Sequence, residues 1–459
     1  MVVGVAGHLA IEALMNKNTM LSEIFNAAIV AVDPYQAVRN FVRLEHGVLS
    51  VADVKYELAS YQHILVVGAG KAAARMALAI EALLGSRISS GLIIVKDGHR
   101  APLQIIQQVE AAHPVPSQAG MDATQKILQM VQHADEQTLI ICLISGGASA
   151  LLLAPAADLT LADKQSVTGQ LLKAGASIEE LNAVRKHLSR VKGGGLAQAA
   201  YPAQLATLIL SDVIGDRLDV IASGPTAEDK STFAEAWAVI EKFQLQTSVP
   251  VAVARQLQQG VAGTVAETVK AGDACLLKVQ NVIVGGLGIA LNAAKEKSIQ
   301  LGTRAEIIRA DLQGEARDAA HFLADAARSA LKHMQSGERR ILLCGGETTV
   351  TVRGAGLGGR NQELALAFAL ETEGWPGVSL LSAGSDGSDG PNDAAGAIVN
   401  GNTAIQSRKL EIKPEPYLAD NDSYHFFQKF DATSGAHTHF ITGPTGTNVM
   451  DIQIILLEK

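Results

Sequence analysis

Positive charge, aromatic side chains and cysteine are all scarce in this 459-residue sequence, and each shortage excludes something. Lys and Arg number 38 against 46 Asp and Glu, and the formal charge of −8 works against nucleic acid or an anionic membrane as a partner. An anionic substrate would have to be captured by local glycine loops and single Lys or Arg residues. The three cysteines, Cys142, Cys275 and Cys344, are scattered and odd in number, with no metal-ligand spacing. That argues against a disulfide framework and for buried, reduced thiols in a cytoplasmic protein. Aromatics make up only 4%; the Ala, Leu, Ile, Val and Gly that dominate instead suit parallel sheets covered by small-residue helices. One long uncharged run, residues 137–157, approaches the length of a membrane span. Ser145-Gly146-Gly147 interrupts it and Pro155 closes it, which favours a buried strand followed by a buried helix start. The first 20 residues carry neither a basic n-region nor a clear cleavage site, so no signal peptide is expected.

The length calls for two domains. Residues 1–19 read as an extension, disordered or helical. Residues 20–272 read as a Rossmann-like, doubly wound α/β domain, and 273–459 as a second α/β domain with a mixed sheet. Helical spacing runs from Ile24 to about Leu49, with Asp33-Pro34 opening the second of two short helices. The runs His63–Val67 and Gly91–Val95, with a helix over Lys71–Leu84 between them, form one βαβ unit. Thr138–Ile144 and Leu205–Leu210 are further buried strands. Ser177 with Glu180 makes a capping box for a helix stopped by Gly193-Gly194-Gly195. In the second half, strands are expected at Asn281–Val284, Arg304–Ile308, Arg340–Cys344, Thr348–Val352, Val378–Leu381, Phe440–Ile441 and Ile452–Leu457.

Two strand-to-helix junctions stand out. Gly68-Ala69-Gly70-Lys71 and Gly358-Gly359-Arg360-Asn361 each combine glycines, which let backbone N–H groups approach an anion, with a cation near the positive end of a helix. A cation there asks for a negative ligand opposite. The first turn fits the relaxed dinucleotide pattern Gly-x-Gly-x-x-Ala, but Lys71 suits a phosphate or carboxylate better, and the second strand ends in the ambiguous Lys96-Asp97. Ser145-Gly146-Gly147-Ala148-Ser149 offers free donors and hydroxyls at another junction. Lys192, beside three glycines, is the cation of its helix that stands apart. Asp212 sits at the carboxyl end of a buried strand, where it needs a Mg²⁺ ion or a substrate hydroxyl as partner. Asp386 and Asp389, in the acidic loop 384–393, with Glu347 after Gly345-Gly346, suit a Mg²⁺ shared with phosphates. Asn361 is placed to cap the helix behind Arg360 and Gly359. Thr445 and Gly446 lie in a last glycine/threonine loop that resembles a substrate cradle.

Together the segments VVGAGKAA, LISGGASALL, LNAVRKHLSRVKGGGLA, SDVIGD, IASGPT, GGETTVTV, GGRNQELALA, GSDGSDGPNDAAGA, NDSYHFF and TGPTGTNVMD resemble the class II glycerate 2-kinases, the family with a C-terminal MOFRL domain. The resemblance runs from about Met20 onward and departs at Gly285-Gly286-Leu287-Gly288. It implies a two-domain kinase that uses ATP and Mg²⁺ to phosphorylate D-glycerate at its 2-hydroxyl, with an active site in the cleft between domains. It also implies that Lys71 and Arg360 are the two basic residues needed for catalysis; on physical grounds Asp212, Asp386 and Asp389 are the candidates for holding Mg²⁺ or orienting the attacking hydroxyl. Nucleic acid and membrane are not expected partners, and homo-oligomerisation is left open. The competing reading is an NAD(P)-dependent hydroxypyruvate reductase, supported by the Gly-x-Gly turn alone.

Overall fold

In the computed structural model the described residues are 2–459, with side chains from Lys17 onward, and the helix Val2–Ala31 includes all but the first residue of the extension expected over 1–19. The chain divides into two compact units. One is Pro34–Val284; the other joins the segment up to Asp33 to Gly285–Lys459. The first helix thus belongs with the C-terminal part of the chain, where it packs on the helix Leu287–Gln300.

The Pro34–Val284 unit begins with the helix Pro34–Phe41 and then an antiparallel meander, β1 (Val42–Glu45), β2 (Val48–Val51) and β3 (Val54–Glu57). The helical pattern read through to Leu49 therefore ends eight residues early. Its cause is His46-Gly47, both at positive φ, a two-residue turn that pairs Glu45 with Val48 and matches strand twist. The main sheet of this unit holds β4 (His63–Ala69), β5 (Ser90–Lys96), β6 (Gln107–Ala111), β7 (Thr138–Ile144), β8 (Gln204–Leu210) and β9 (Val279–Gly285). Its spatial order is β6-β5-β4-β7-β8-β9, and the pairings from β6 through to β8 are parallel. Counted from its own first strand this is 3-2-1-4-5-6, the doubly wound order whose direction reverses between β4 and β7. All seven residues of β7 are buried, so the uncharged run is core. Among the described residues no helix is long and apolar enough to cross a membrane. The capping box of Ser177 and Glu180 is present at the helix Ile178–His187.

The second unit carries a mixed sheet of β10 (Arg304–Leu312), β11 (Arg339–Gly346), β12 (Val378–Gly384), β13 (Gly396–Asn400), β14 (His439–Phe440) and β15 (Asp451–Glu458), in the order β10-β11-β15-β12-β13-β14. β10 and β11 are parallel, and β15 runs antiparallel to both its neighbours. The strand expected over Thr348–Val352 is absent. Its alternation is real, but Thr349 makes only an isolated bridge to Glu315, and Thr351 bonds the Glu315 carboxylate instead of a neighbouring strand. The helix Arg360–Glu371 is buried from Asn361 to Ala369 and supplies the centre of this core.

Candidate active site

A doubly wound sheet binds its ligands outside the carboxyl ends of the strands, at the point where strand order reverses. Here that point separates β4 from β7, and both ends carry sequence-predicted residues. After β4 come Gly70 and Lys71; after β7 comes the Ser145–Ser149 loop. Lys71 donates its backbone N–H to Gly146 O at 2.9 Å, and Ala72 donates to Ser145 Oγ at 3.0 Å. A Cβ on Gly146 would lie 2.3 Å from Asp212 Oδ2, so Asp212, following β8, reaches the same loop. A Cβ on Gly147 would lie 3.4 Å from Lys71 Cγ and 3.0 Å from a ring carbon of His113. Lys71, Ser145, Gly146, Gly147 and Asp212 are therefore neighbours on one rim.

One expectation needs correcting. The glycines of the first turn do not open an anion cradle. Gly70 donates to Ile94 O at 3.0 Å, so the N–H groups of Gly70, Lys71 and Ala72 are all spent inside the protein. A Cβ at Gly68 would strike Leu143 O at 2.2 Å, and one at Gly70, with φ of +139°, would strike Ser145 Oγ at 2.1 Å. These glycines exist to let β4 and its turn touch β7. The open donors belong to the neighbouring loop, where the N–H groups of Gly146 and Gly147 meet no protein acceptor among the described residues. What the first turn contributes is the Lys71 side chain, for which no carboxylate partner is found among the described residues.

The rim is strongly cationic despite the acidic chain. Burial lowers the His113 pKa, and Lys71, Lys96 and His99 lower it further. Beside His113, Gly147 and Ser149 opens a cavity of about 440 Å³, whose lining includes Lys164, Arg185 and Lys192. Lys192 donates from Nζ to Ser149 O at 2.6 Å and to Ser149 Oγ at 2.9 Å. Ser149 Oγ in turn meets Ser223 Oγ at 2.9 Å. Of the cations lining this cavity the sequence singled out only Lys192. Arg185 looked like an ordinary helix-terminal charge, and nothing local marked His113 or Lys164.

In the other unit, register brings the remaining groups together. Asp451 opens β15 opposite both Gly346 of β11 and Gly384 of β12. Arg360, the first residue of its helix, meets Asp451 in a two-pronged pair, Nε to Oδ2 at 2.6 Å and Nη2 to Oδ1 at 3.0 Å. Its Nη1 also donates to Glu347 Oε1 at 2.9 Å. The negative charge demanded by Arg360 is thus supplied first by the protein, through a residue the sequence reading missed. Burial opposes the Arg360 charge, but Asp451 and Glu347 more than restore it and raise its pKa. Burial pushes Asp451 up to about 6, with Arg360 pulling the other way, so the pair is ionised at neutral pH.

Asn361 does not cap the helix. Asp389 does so from a distance: its carboxylate accepts from the backbone N–H of Asn361 at 2.9 Å and of Gln362 at 2.8 Å, and from both side-chain amides. A Cβ on Gly359 would lie 2.1 Å from Asp389 O, which explains that glycine. Asp386 keeps a half-exposed carboxylate whose Oδ1 accepts from Ser388. Thr445 braces the acidic loop by donating from its Oγ1 to Ser385 O at 2.6 Å and from its N–H to Asp386 O at 3.2 Å; Gly446, at positive φ, turns the chain behind it. Among the described residues no three His, Cys, Asp or Glu side chains form a ready-made metal cage.

A Rossmann-like sheet with cations and free N–H groups at its switch point, joined in one chain to a mixed-sheet unit that carries a half-buried Arg–Asp pair, defines an α/β protein suited to small anions. Comparison with known proteins sharpens that class. Residues 20–258 match a domain of unknown function, DUF4147, and residues 340–451 match the MOFRL family. A D-glycerate 2-kinase from Thermotoga maritima is 44% identical over 400 residues, 86% of this chain and 90% of the relative. A crystal structure of a glycerate kinase from Thermotoga maritima superposes with a TM-score of 0.84 at 39% identity, covering 96% of this chain and 100% of that one. A relative from Agrobacterium vitis, provisionally named a hydroxypyruvate reductase, is 39% identical over 442 residues, 95% of this chain and 94% of its own. The chain belongs to the glycerate kinase family that carries the MOFRL domain.

Proposed function

We propose that this protein transfers the terminal phosphoryl group of ATP to the 2-hydroxyl of D-glycerate, giving 2-phosphoglycerate and ADP. In that step the acceptor oxygen bonds to phosphorus, the bond to the bridging oxygen of ADP breaks, and the hydroxyl proton passes to a base. Phosphoryl transfer asks for positioning and charge neutralisation more than covalent chemistry. The observation that carries the reading is the cationic switch point, where Lys71 adjoins the open N–H groups of Gly146 and Gly147. Lys71 and Arg360 neutralise the migrating phosphoryl group or hold the acceptor carboxylate. Asp212 orients the hydroxyl or takes its proton.

Mg²⁺ belongs to the proposal. A magnesium ion carried on phosphates commonly needs only one or two protein carboxylates, and it would neutralise phosphate charge. Asp386 fits that demand, being half-exposed with one oxygen engaged. Glu347 fits it less well, since one oxygen holds Arg360. Asp389 does not fit, because both its oxygens serve the helix terminus. The cytoplasm suits ATP chemistry and the three free, buried cysteines.

The test is an ADP-release assay with D-glycerate, with NMR of the product to place the phosphate on carbon 2. Lys71→Met and Arg360→Met are each expected to lower kcat by on the order of 100-fold or more, the scale set by losing one charge-stabilising donor. Near-normal turnover in either variant would remove that residue from the mechanism. The reductase reading loses ground because the N–H groups of its Gly-x-Gly turn are already committed; absorbance of NADH should stay constant with hydroxypyruvate.

A further inference from the structure

The cavity beside Ser149 lies entirely within the Pro34–Val284 unit and holds more positive charge than the protein balances. Lys164 is 5% exposed and Lys192 3%. Their ammonium groups bond only main-chain and hydroxyl oxygens: Lys164 Nζ reaches Leu188 O at 3.0 Å, and Lys192 Nζ reaches Ser149. Arg185 has no hydrogen bond or ion pair among the described residues, although its guanidinium offers five donors. The next residue on the same helix shows the alternative. Lys186, equally buried, is paired with Asp229 at 3.0 Å. Buried cations without a counter-charge are costly, and two of them with the half-buried Arg185 around one cavity call for an anion of more than one charge.

Part of the lining is apolar. Val115 and Leu172 line the cavity and are 61% and 56% exposed. A cavity of about 440 Å³ falls within the range, roughly 300–1,000 Å³, that suits drug-sized ligands, and a three-carbon acid would leave it mostly empty. We propose that this cavity is the nucleotide subsite: the polyphosphate lies on Lys164, Arg185 and Lys192, and the purine base lies against Val115 and Leu172. The phosphate chain then leads past Gly147 toward Lys71. This assignment rests on the kinase reading and adds to it where the donor binds. In the free protein burial, with Arg185 adding, draws the Lys164 pKa down to about 7, and burial, with Lys164 and Arg185 adding, draws Lys192 well below its usual value. A bound polyanion returns both to the charged state.

Calorimetric titration of the full chain with ADP and with inorganic tripolyphosphate separates the two halves of the ligand. Arg185→Met should weaken both by about 10- to 100-fold, as loss of a charged hydrogen bond does, with Arg185→Lys recovering part. Leu172→Ser should weaken ADP several-fold and leave tripolyphosphate unchanged. In turnover, both variants should raise the KM for ATP and spare that for D-glycerate. Arg185→Met should melt no lower than the parent without ligand, since it removes an unpaired charge. Unchanged ADP affinity in Arg185→Met would overturn the proposal, as would a raised KM for D-glycerate with that for ATP unmoved. A parent protein that binds ADP but phosphorylates no D-glycerate would sink the kinase reading alone, and the two titrations would still decide the cavity.

Discussion

Arg360 sits at the positive end of its own helix, where a guanidinium is ordinarily unwelcome. It is tolerated because Asp451 grips two of its nitrogens and Glu347 the third. The pair fixes the orientation of a cation that remains about one-third exposed, with Asp451 wholly buried beneath it. Asp451 is therefore a positioning residue. Asp451→Asn keeps the shape but removes the charge, leaving Arg360 to Glu347 alone. We expect kcat to fall by on the order of 10- to 100-fold, less than for removal of a stabilising donor itself, with little change in the KM for D-glycerate. Breaking this half-buried pair also costs stability, on the order of 1–3 kcal/mol once solvent screening of the exposed part of the guanidinium is allowed for. A variant that melts lower but turns over normally would show that the pair serves folding only. Steady-state kinetics alongside thermal unfolding decides between the two.

At the scale of elements, the glycines of the first turn are demanded by strand approach, and that is testable without any ligand. Gly70→Ala forces a Cβ to within 2.1 Å of Ser145 Oγ at a φ of +139°. Overpacking and backbone strain together should cost about 2–5 kcal/mol. Gly288→Ala, in the helix Leu287–Gln300 with nothing within 4 Å, should instead stabilise by roughly 0.5–1 kcal/mol. Equal melting temperatures for the two variants would contradict this account of Gly70. The same contrast shows what the chain made legible. Strands β4, β5, β7 and β8 were readable because each is an apolar run closed by glycine or serine punctuation, and the Ser177–Glu180 box was readable because capping is local. The meander β1–β3 was not, since Val42, Leu49 and Val51 fit helical and strand periods alike and the decision lay in His46-Gly47. In the site, Lys71 and the Ser145 loop announced themselves at chain junctions. Asp451, His113 and Lys164 could not, because each arrives through register or packing. Asp389 misled for the opposite reason: an acidic glycine loop resembles a metal site, and only the fold shows its carboxylate aimed at a helix terminus.

For the molecule as a whole, a net charge of −8 repels the anions it handles, so binding depends on a few basic groups gathered at one cavity and on their charge state there. The groups facing the nucleotide cavity and its rim are His113, Lys71, Lys164, Arg185 and Lys192. Arg185 stays charged across the working range, which leaves Lys164 and Lys192, both with a pKa lowered by burial, as the groups whose protonation matters. The sign follows from their lowered pKa values. In the free protein burial, with Arg185 adding, brings the Lys164 pKa down to about 7, whereas in the unfolded chain it lies near the ordinary lysine value of 10.5. Between those limits the unfolded state binds more protons, so this group makes unliganded stability rise with pH. Nucleotide binding runs the other way. The complex restores the proton, so for Lys164 affinity is greatest below about pH 7 and falls as pH rises, by up to about tenfold per unit; Lys192, also lowered, acts in the same direction. Above pH 7, then, the free protein should gain melting temperature from these lysines while the shift produced by ADP shrinks. Titrations at pH 8 in two buffers of different ionisation enthalpy should register net proton uptake on binding ADP, and Arg185→Met, by easing the charge on Lys164 and Lys192, should reduce it. Binding heats that are identical in both buffers would mean that the two lysines are already charged in the free protein, and the opposed pH trends would then be absent.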